Sequence, residues 1–288
     1  MIDITQTNAV AIGVFDGVHK GHRRVVETAA AQQGRTLACT FETGSITSKG
    51  ADYRPIYGSE IKRRILTSLG VDDVYSMDFG QIRGLSGDTF FTEILYYRLK
   101  AHTVVCGRDF RFGKGAAFGV DELRALCSSH GVKLIAVNEV TDGGEKISST
   151  GIRRLISEGQ IDRANDLLGE PYMICGEVIH GNHIGTEIGF PTANIAMDEN
   201  NIMPKFGVYR SYVIMDGERY ESISNIGVKP TVGSRAPLCE THIPGISGDL
   251  YGKALEVRLT GMIRAERKFD GIDDLKKQIS ADLDTLKG

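Results

Sequence analysis

Residues 9–22 constrain this chain more than any other stretch. Ala9-Val10-Ala11-Ile12 is an apolar run of strand length, and Gly13-Val14-Phe15-Asp16-Gly17-Val18 is a glycine-bearing turn. His19-Lys20-Gly21-His22 then opens a pattern in which Val25, Val26, Ala29 and Ala30 recur at helical spacing. A strand that passes through glycines into a helix N-terminus presents backbone N–H groups and the positive end of the helix dipole, which suits phosphate. His19 and His22 stand three apart, so both can face one ligand at the helix start. Each offers a ring N–H to a phosphate oxygen, and each is able to carry positive charge near neutral pH. Solvated surface histidines would not need glycines at 13, 17 and 21 in register. The spacing is neither that of a Walker loop nor that of a GxGxxG fingerprint.

The pattern continues as alternating strands and helices. Strands are predicted over residues 36–41, 71–75, 103–106 and 133–137. Helices are predicted from residue 60 to near Gly70, around Phe90, Phe91, Ile94, Leu95 and Leu99, and over 123–130. Such alternation implies a parallel sheet covered by helices, in which ligands bind outside the carboxyl ends of the strands. A second turn at a strand end, Gly107-Arg108-Asp109-Phe110-Arg111-Phe112-Gly113-Lys114-Gly115, mixes aromatics, basic residues and glycines. That mixture suits stacking and anion binding better than a solvated loop. Ile147-Ser148-Ser149-Thr150-Gly151-Ile152-Arg153-Arg154 is a hydroxyl cluster at the head of a short helix, where Ser or Thr can act as a cap.

At 288 residues the chain is long enough for two domains with separate cores. Ile161, Ala164, Leu167 and Leu168 finish a helix that stops at Gly169, with Pro171 beyond, so the linker is placed at 169–173. Residues 1–168 then form the α/β domain and 174–288 a second domain. In the latter, short β-rich runs are divided by Gly, Asn, Asp and Pro, and Asp216-Gly217 marks a hairpin, so a small antiparallel barrel is expected. The chain closes on a helix with Leu275, Ile279 and Leu283 on one face, a stripe that fits packing on the barrel.

The stretch from Gly13 to His22, GVFDGVHKGH, resembles the HxGH signature of nucleotidyltransferases in the form found in bacterial bifunctional riboflavin kinase/FAD synthetases. The loop 107–115 is similar to that family's GxDFxFG segment, and residues 148–153 to its SSTxIR motif. Phe190-Pro191-Thr192-Ala193-Asn194 resembles the PTAN motif of riboflavin kinases. Ser224-Asn225-Ile226-Gly227-Val228-Lys229-Pro230-Thr231-Val232-Gly233, Cys239-Glu240-Thr241-His242-Ile243 and Gly248-Asp249-Leu250-Tyr251-Gly252-Lys253 match the kinase's substrate loop, catalytic strand and following turn. The resemblance covers nearly the whole chain in the family's order. It implies a Rossmann-like nucleotidyltransferase domain followed by a β-barrel kinase domain with a C-terminal helix. The first would adenylylate FMN to FAD with release of pyrophosphate, and the second would phosphorylate riboflavin to FMN with ATP.

The same resemblance implies the site residues. Gly13, Phe15, Gly21, His22, Ser148, Ser149, Thr150 and Arg153 would hold ATP in the first domain. His19, His22 and Arg153 would be catalytic there, Arg153 by stabilising departing pyrophosphate. Asp109, Phe110 and Phe112 would hold the flavin. In the second domain Gly176, Gly181 and Gly185 would approach ATP, and Thr192 and Asn194 would coordinate Mg²⁺. Asn225 and Gly227 would hold flavin, and Glu240 would be the general base for the ribityl hydroxyl. A lone glutamate on a strand is ordinarily just solvated, so Glu240's role rests on the motifs around it.

The chain departs from the family pattern at three places. Thr40-Phe41 is followed by Glu42-Thr43-Gly44-Ser45 where the family usually has Pro-His-Pro, Thr186 stands where Arg is common, and Pro244-Gly245-Ile246 replaces a more polar loop. The first departure motivates an alternative, a riboflavin kinase with weakened or lost adenylyltransferase activity. A non-catalytic flavin sensor is a further alternative, against which Glu240 argues.

A net charge of −3 makes no electrostatic case for nucleic acid or an anionic membrane as partner. The start of the chain lacks the pattern of a secretory leader, no apolar run reaches membrane-spanning length, and five widely spaced cysteines read as reduced buried thiols. The expected setting is the cytoplasm, with small-molecule substrates as the partners.

Overall fold

The apolar run at residues 9–12 is a strand with every residue buried, β1 (Asn8–Ile12), at the middle of a five-stranded sheet. These observations come from a computed structural model that describes residues 8–45, 53–181, 184–231, 234–246 and 248–287. The N-terminal residues 1–7, read above for a leader, and Val232 and Gly233 of the substrate-side loop lie outside the described residues. The chain divides into two units, Met1–Ser149 and Thr150–Gly288.

In the first unit, β2 (Arg35–Phe41), β3 (Asp73–Met77), β4 (Ala101–Gly107) and β5 (Lys133–Val137) join β1 in the order β3-β2-β1-β4-β5, all parallel. Strands buried on both faces favour continuous apolar side chains, and β1, β2 and β4 each carry a buried apolar stretch, at residues 9–12, 37–39 and 104–106. The chain lays down β1, β2 and β3 in one direction and then returns to place β4 on the other side of β1. The strand order therefore reverses between β1 and β4, and in open α/β sheets ligands bind at such a point, outside the carboxyl ends. The two turns singled out in the sequence, after Ile12 and after Gly107, leave these two strands.

The helix expected around Phe90 is present, but over Phe90–Arg98 it is wound as a π-helix, and it ends with a bond from Leu99 N–H to Ile94 O at 2.9 Å. This wider winding accompanies the burial of Phe90, Phe91, Ile94 and Leu95 in one core with Leu37, Val104 and Leu123. A short hairpin that the sequence reading had not identified, β6 (Thr141–Asp142) with β7 (Glu145–Lys146), turns through Gly143 and Gly144, both at positive φ.

The second unit is a closed barrel of β8 (Tyr172–Ile179), β9 (Ala193–Ala196), β10 (Gly207–Met215), β11 (Glu218–Thr231), β12 (Ser234–His242) and β13 (Ala254–Ala265). Its strand order is β10-β11-β12-β9-β8-β13, with every pairing antiparallel. Asp216 and Gly217 form the two-residue turn between β10 and β11 with φ of 53° and 82°, the left-handed pair that a right-twisted hairpin requires. Gly169, at φ 86°, caps the helix Ile161–Leu168 as expected.

The division at 149/150 groups the helices Ser149–Glu158 and Ile161–Leu168 with the barrel, whereas the boundary read from the sequence lies at 169–173. The contacts explain the grouping. Asn165 donates to Leu259 O at 2.8 Å and accepts from Tyr172 N–H at 2.7 Å, both on barrel strands. The C-terminal helix Ile272–Asp284 is held by Asp282, which is 2% exposed and takes a forked pair of bonds from Arg264 of β13. Leu275, Ile279 and Leu283 are half-buried along it.

Candidate active sites

The turn after β1 is tightly built. Phe15, Gly17 and Val18 all have positive φ (51°, 78° and 43°), a cost that a β-branched residue such as Val18 bears only where the surroundings enforce it. A Cβ on Gly17 would lie 2.6 Å from Ile56 Cδ1, so this glycine answers both a backbone and a packing demand. Gly13 and Gly21 leave room for the rings of Phe15 and His19, which would stand 3.0 and 3.1 Å from added Cβ atoms. Asp16 is buried and pins the turn. Its carboxylate accepts from Ile56 N–H at 2.8 Å and Tyr53 OH at 3.0 Å, and its carbonyl accepts from Ser149 Oγ at 2.9 Å.

His19 is the N-cap of the helix Lys20–Ala30, and its Nδ1 accepts from His22 N–H at 3.4 Å. The two imidazoles stack with centroids 3.7 Å apart, and Phe15 meets His22 edge-on at 5.5 Å. One expectation is corrected here. His19 is only 6% exposed, and burial pushes its pKa down to about 4, so it is neutral near pH 7. With Nδ1 accepting, the proton sits on Nε2, and His19 can serve a phosphate as a hydrogen-bond donor but not as a cation.

Between pH 6.5 and 4 the unfolded chain therefore binds a proton that folded His19 refuses. The stability contribution is full above about pH 6.5 and is lost as pH falls towards 4, by about 3 kcal/mol at most. Urea unfolding at pH 7 and pH 4.5 should show a smaller acid loss in His19→Gln than in the wild type. Equal losses would mean that folded His19 takes up its proton as readily as the unfolded chain does, so that burial does not lower its pKa.

The loop after β4 holds its own contacts. Asp109 accepts from Lys146 Nζ at 2.5 Å, and Lys146 also donates to Glu139 at 2.5 Å, joining the loop to the hairpin that precedes Ser148. Phe110 stacks on Phe112 at 5.6 Å. Phe112 is buried against Phe90 and Phe118, so it is a core ring supporting the more exposed Phe110. Of the hydroxyl cluster, Ser148 and Ser149 belong to the first unit. Thr150 and Arg153 belong to the second, where Arg153 Nη2 donates to Thr150 Oγ1 at 2.9 Å.

In the barrel, register does the positioning. Asn225 of β11 pairs with Glu240 of β12, and Glu240 pairs with Asn194 of β9, so these three residues stand in one row on one face. Asn225 Nδ2 donates to Glu240 Oε2 at 3.1 Å. Asn194 is 5% exposed, and its Oδ1 is buried with no hydrogen-bond partner among the described residues, an acceptor left for a cation or donor from outside the chain. His242, two residues beyond Glu240, bonds Pro191 O at 2.8 Å through Nδ1 and meets Phe190 edge-on.

The glycines read as ATP-binding have packing reasons of their own. A Cβ on Gly181 would lie 2.6 Å from Asn194 Nδ2, one on Gly185 2.5 Å from Phe190 O, and one on Gly176 2.5 Å from Ile195 Cγ2. These glycines let the loops close on the segment that carries Thr192 and Asn194. Gly227 makes room for Glu266, whose Oε1 would lie 2.1 Å from a Cβ there. Gly245, at φ 79°, explains the glycine in the departing loop Pro244-Gly245-Ile246.

Cys39 and Cys239 are fully buried thiols pushed up by burial to about 12 and about 11, which makes them inert. Among the described residues no group of three or more His, Cys, Asp or Glu is arranged to hold a metal, and no helix is long and apolar enough to cross a membrane.

Sequence reasoning missed Lys62. It is 5% exposed on the helix Ser59–Ser68, in one buried stripe with Ile65 and Leu66, and a lysine interrupting an apolar stripe was the available signal.

Comparison with known proteins matches two parts of the chain to two family models. A family model for FAD synthetase matches residues 2–151, and one for riboflavin kinase matches residues 168–288. The chain is 35% identical over 287 residues to the bifunctional riboflavin kinase/FMN adenylyltransferase of Bacillus subtilis, covering 96% of this chain and 90% of that one. It is 33% identical over 282 residues to the protein of the same description from Escherichia coli K12, covering 95% and 90%. A crystal structure from Streptococcus pneumoniae, described as a macrolide-efflux protein, superposes with a TM-score of 0.87 at 30% identity, over 98% of this chain and 94% of that one.

Proposed function

The chain belongs to the bifunctional riboflavin kinase/FMN adenylyltransferase family, and on that premise we propose which residues carry each half of its chemistry. It phosphorylates riboflavin to FMN and adenylylates FMN to FAD. A kinase that has lost adenylylation is not favoured, because the FAD synthetase match runs through the departure after Phe41. Adenylylation is assigned to residues 1–168 and phosphorylation to 174–288, with 169–173 as the link. The observation that supports this reading is that each family match contains a separate phosphate-handling geometry: the β1/β4 strand reversal in one, the row Asn225–Glu240–Asn194 in the other.

For the kinase, Glu240 takes the proton of the ribityl hydroxyl as that oxygen attacks the γ-phosphorus of ATP and ADP leaves. Asn225 fixes one oxygen of the base, and Asn225 and Gly227 line the flavin side. Gly176, Gly181 and Gly185 bring backbone close to the ATP phosphates. Thr192 and Asn194 would hold Mg²⁺, and the unbonded Asn194 Oδ1 fits that use. Two neutral oxygens suffice because ATP brings the negative charge, and the ion, when bound, neutralises part of it.

For adenylylation, a phosphate oxygen of FMN attacks the α-phosphorus of ATP and pyrophosphate leaves. His19, through Nε2–H, and His22 donate to the phosphates beside Gly13, Phe15 and Gly21. Ser148, Ser149 and Thr150 complete the cradle, and Arg153 meets the charge on pyrophosphate. Asp109 and Phe110 hold the flavin, with Phe112 supporting Phe110. The partners are small molecules in the cytoplasm, without nucleic acid or membrane.

Incubating the purified chain with riboflavin and Mg-ATP and separating the flavins by chromatography tests the proposal. Sequential appearance of FMN and FAD is expected. FMN alone would favour a kinase without adenylyltransferase activity, and the absence of both products would favour a flavin sensor.

A further inference from the structure

Lys62 has no place in the chemistry above, yet its burial needs a reason. Its helix puts Lys62, Ile65 and Leu66 on one buried face, where the fold alone asks only for an aliphatic side chain. Burying an ammonium is expensive unless it is compensated. Here Nζ donates to Phe41 O at 2.6 Å and lies 3.5 Å from Thr40 Oγ1. Thr40 Oγ1 in turn donates to Val14 O at 2.9 Å.

The position of these bonds matters. The β1–β2 ladder ends at the pair Ile12–Cys39, with Gly13 N–H to Cys39 O at 3.1 Å as the last backbone tie. Beyond it the two chains part, one into the histidine turn and the other into Glu42, where the departure from the family pattern begins. The side-chain bonds Lys62–Phe41, Lys62–Thr40 and Thr40–Val14 continue the tie past the end of the ladder, up to the residue before left-handed Phe15. The Asp16 carboxylate of the same turn attracts the ammonium. Burial lowers the Lys62 pKa to about 8, the kind of perturbation common at functional sites.

We infer that Lys62 is a positioning residue for adenylylation, fastening the ends of β1 and β2 so that the turn bearing His19 and His22 is held in its reactive geometry. The inference rests on assigning adenylylation to this unit. A misplacement of about 1 Å can cost about a hundredfold in rate, so the tie has room to matter.

The test uses the full chain with Lys62→Met, Thr40→Val and the double variant, measuring FAD formation from FMN and FMN formation from riboflavin in the same preparations. Lys62→Met should lower kcat for FAD formation about ten- to a hundredfold at saturating ATP and FMN, with kinase turnover unchanged. Thr40→Val should give the same kind of kcat loss, and the double variant should be little worse than the worse single one, because both act through one path. A purely structural lysine would lower the melting temperature and leave kcat per folded molecule intact, and that result overturns the inference. So do multiplying losses, or a Thr40→Val variant of wild-type activity, which also decides the matter if Lys62→Met does not fold. If the wild type itself makes no FAD, it is the functional assignment that fails.

Discussion

Glu240→Gln should abolish FMN formation for practical purposes, lowering turnover by about 10²–10⁴ while FAD is still made from supplied FMN. Glutamine has nearly the same size, and its carbonyl oxygen can still accept the bond from Asn225 Nδ2, now 3.1 Å long. The row across β11, β12 and β9 therefore stays intact, and what is lost is the basic oxygen proposed to receive the ribityl proton. The size of the effect corresponds to about 3–5 kcal/mol in the barrier, more than the loss of one neutral hydrogen bond would produce. Separate assays for each product read it directly. Kinase turnover within a few-fold of wild type would remove Glu240 from the role of base.

The second large effect belongs to the other unit. His22→Ala should reduce FAD formation by about 10²–10³, the usual consequence of removing one donor from a site of developing charge, and leave FMN formation intact. Structurally the change deletes the ring stacked on His19 and met edge-on by Phe15, while the helix cap survives because it uses the backbone N–H of residue 22. If both products disappeared in a protein still folded by circular dichroism, the two activities would not reside in separate sites.

Much of this architecture is legible in the chain because its signals are local. Strand–helix alternation, the Asp216-Gly217 turn and the Gly169 cap each depend on a few neighbouring residues, and each is found where it was read. What escaped depends on partners distant in sequence. The neutrality of His19 follows from burial, which no spacing reports. Gly227 leaves space that the Glu266 carboxylate occupies, and Phe112 belongs to the core through Phe90 and Phe118. The role inferred for Lys62 depends on its bonds to Phe41 O and Thr40 Oγ1, residues 21 and 22 positions away. The two helices after Ser149 group with the barrel through Asn165, whose partners Tyr172 and Leu259 lie on different strands. The motif strings of both domains, by contrast, can be read directly because phosphate-binding turns are local structures, and the roles proposed for their residues rest on that resemblance.

Strand β9 is only four residues long, yet Asn194 within it is matched to Glu240 on one side and to Ile179 on the other. Side chains alternate faces along a strand, so a slip of one residue would turn Asn194 away and put a neighbour opposite Glu240. The kinase site is therefore sensitive to counting as well as to chemistry. A conservative exchange in the segment leading into β9 changes one contact, whereas a single inserted or deleted residue there would break the alignment of Glu240 and Asn194, the proposed base and metal ligand, without touching either. Across related sequences, the length of that approach should vary far less than its composition.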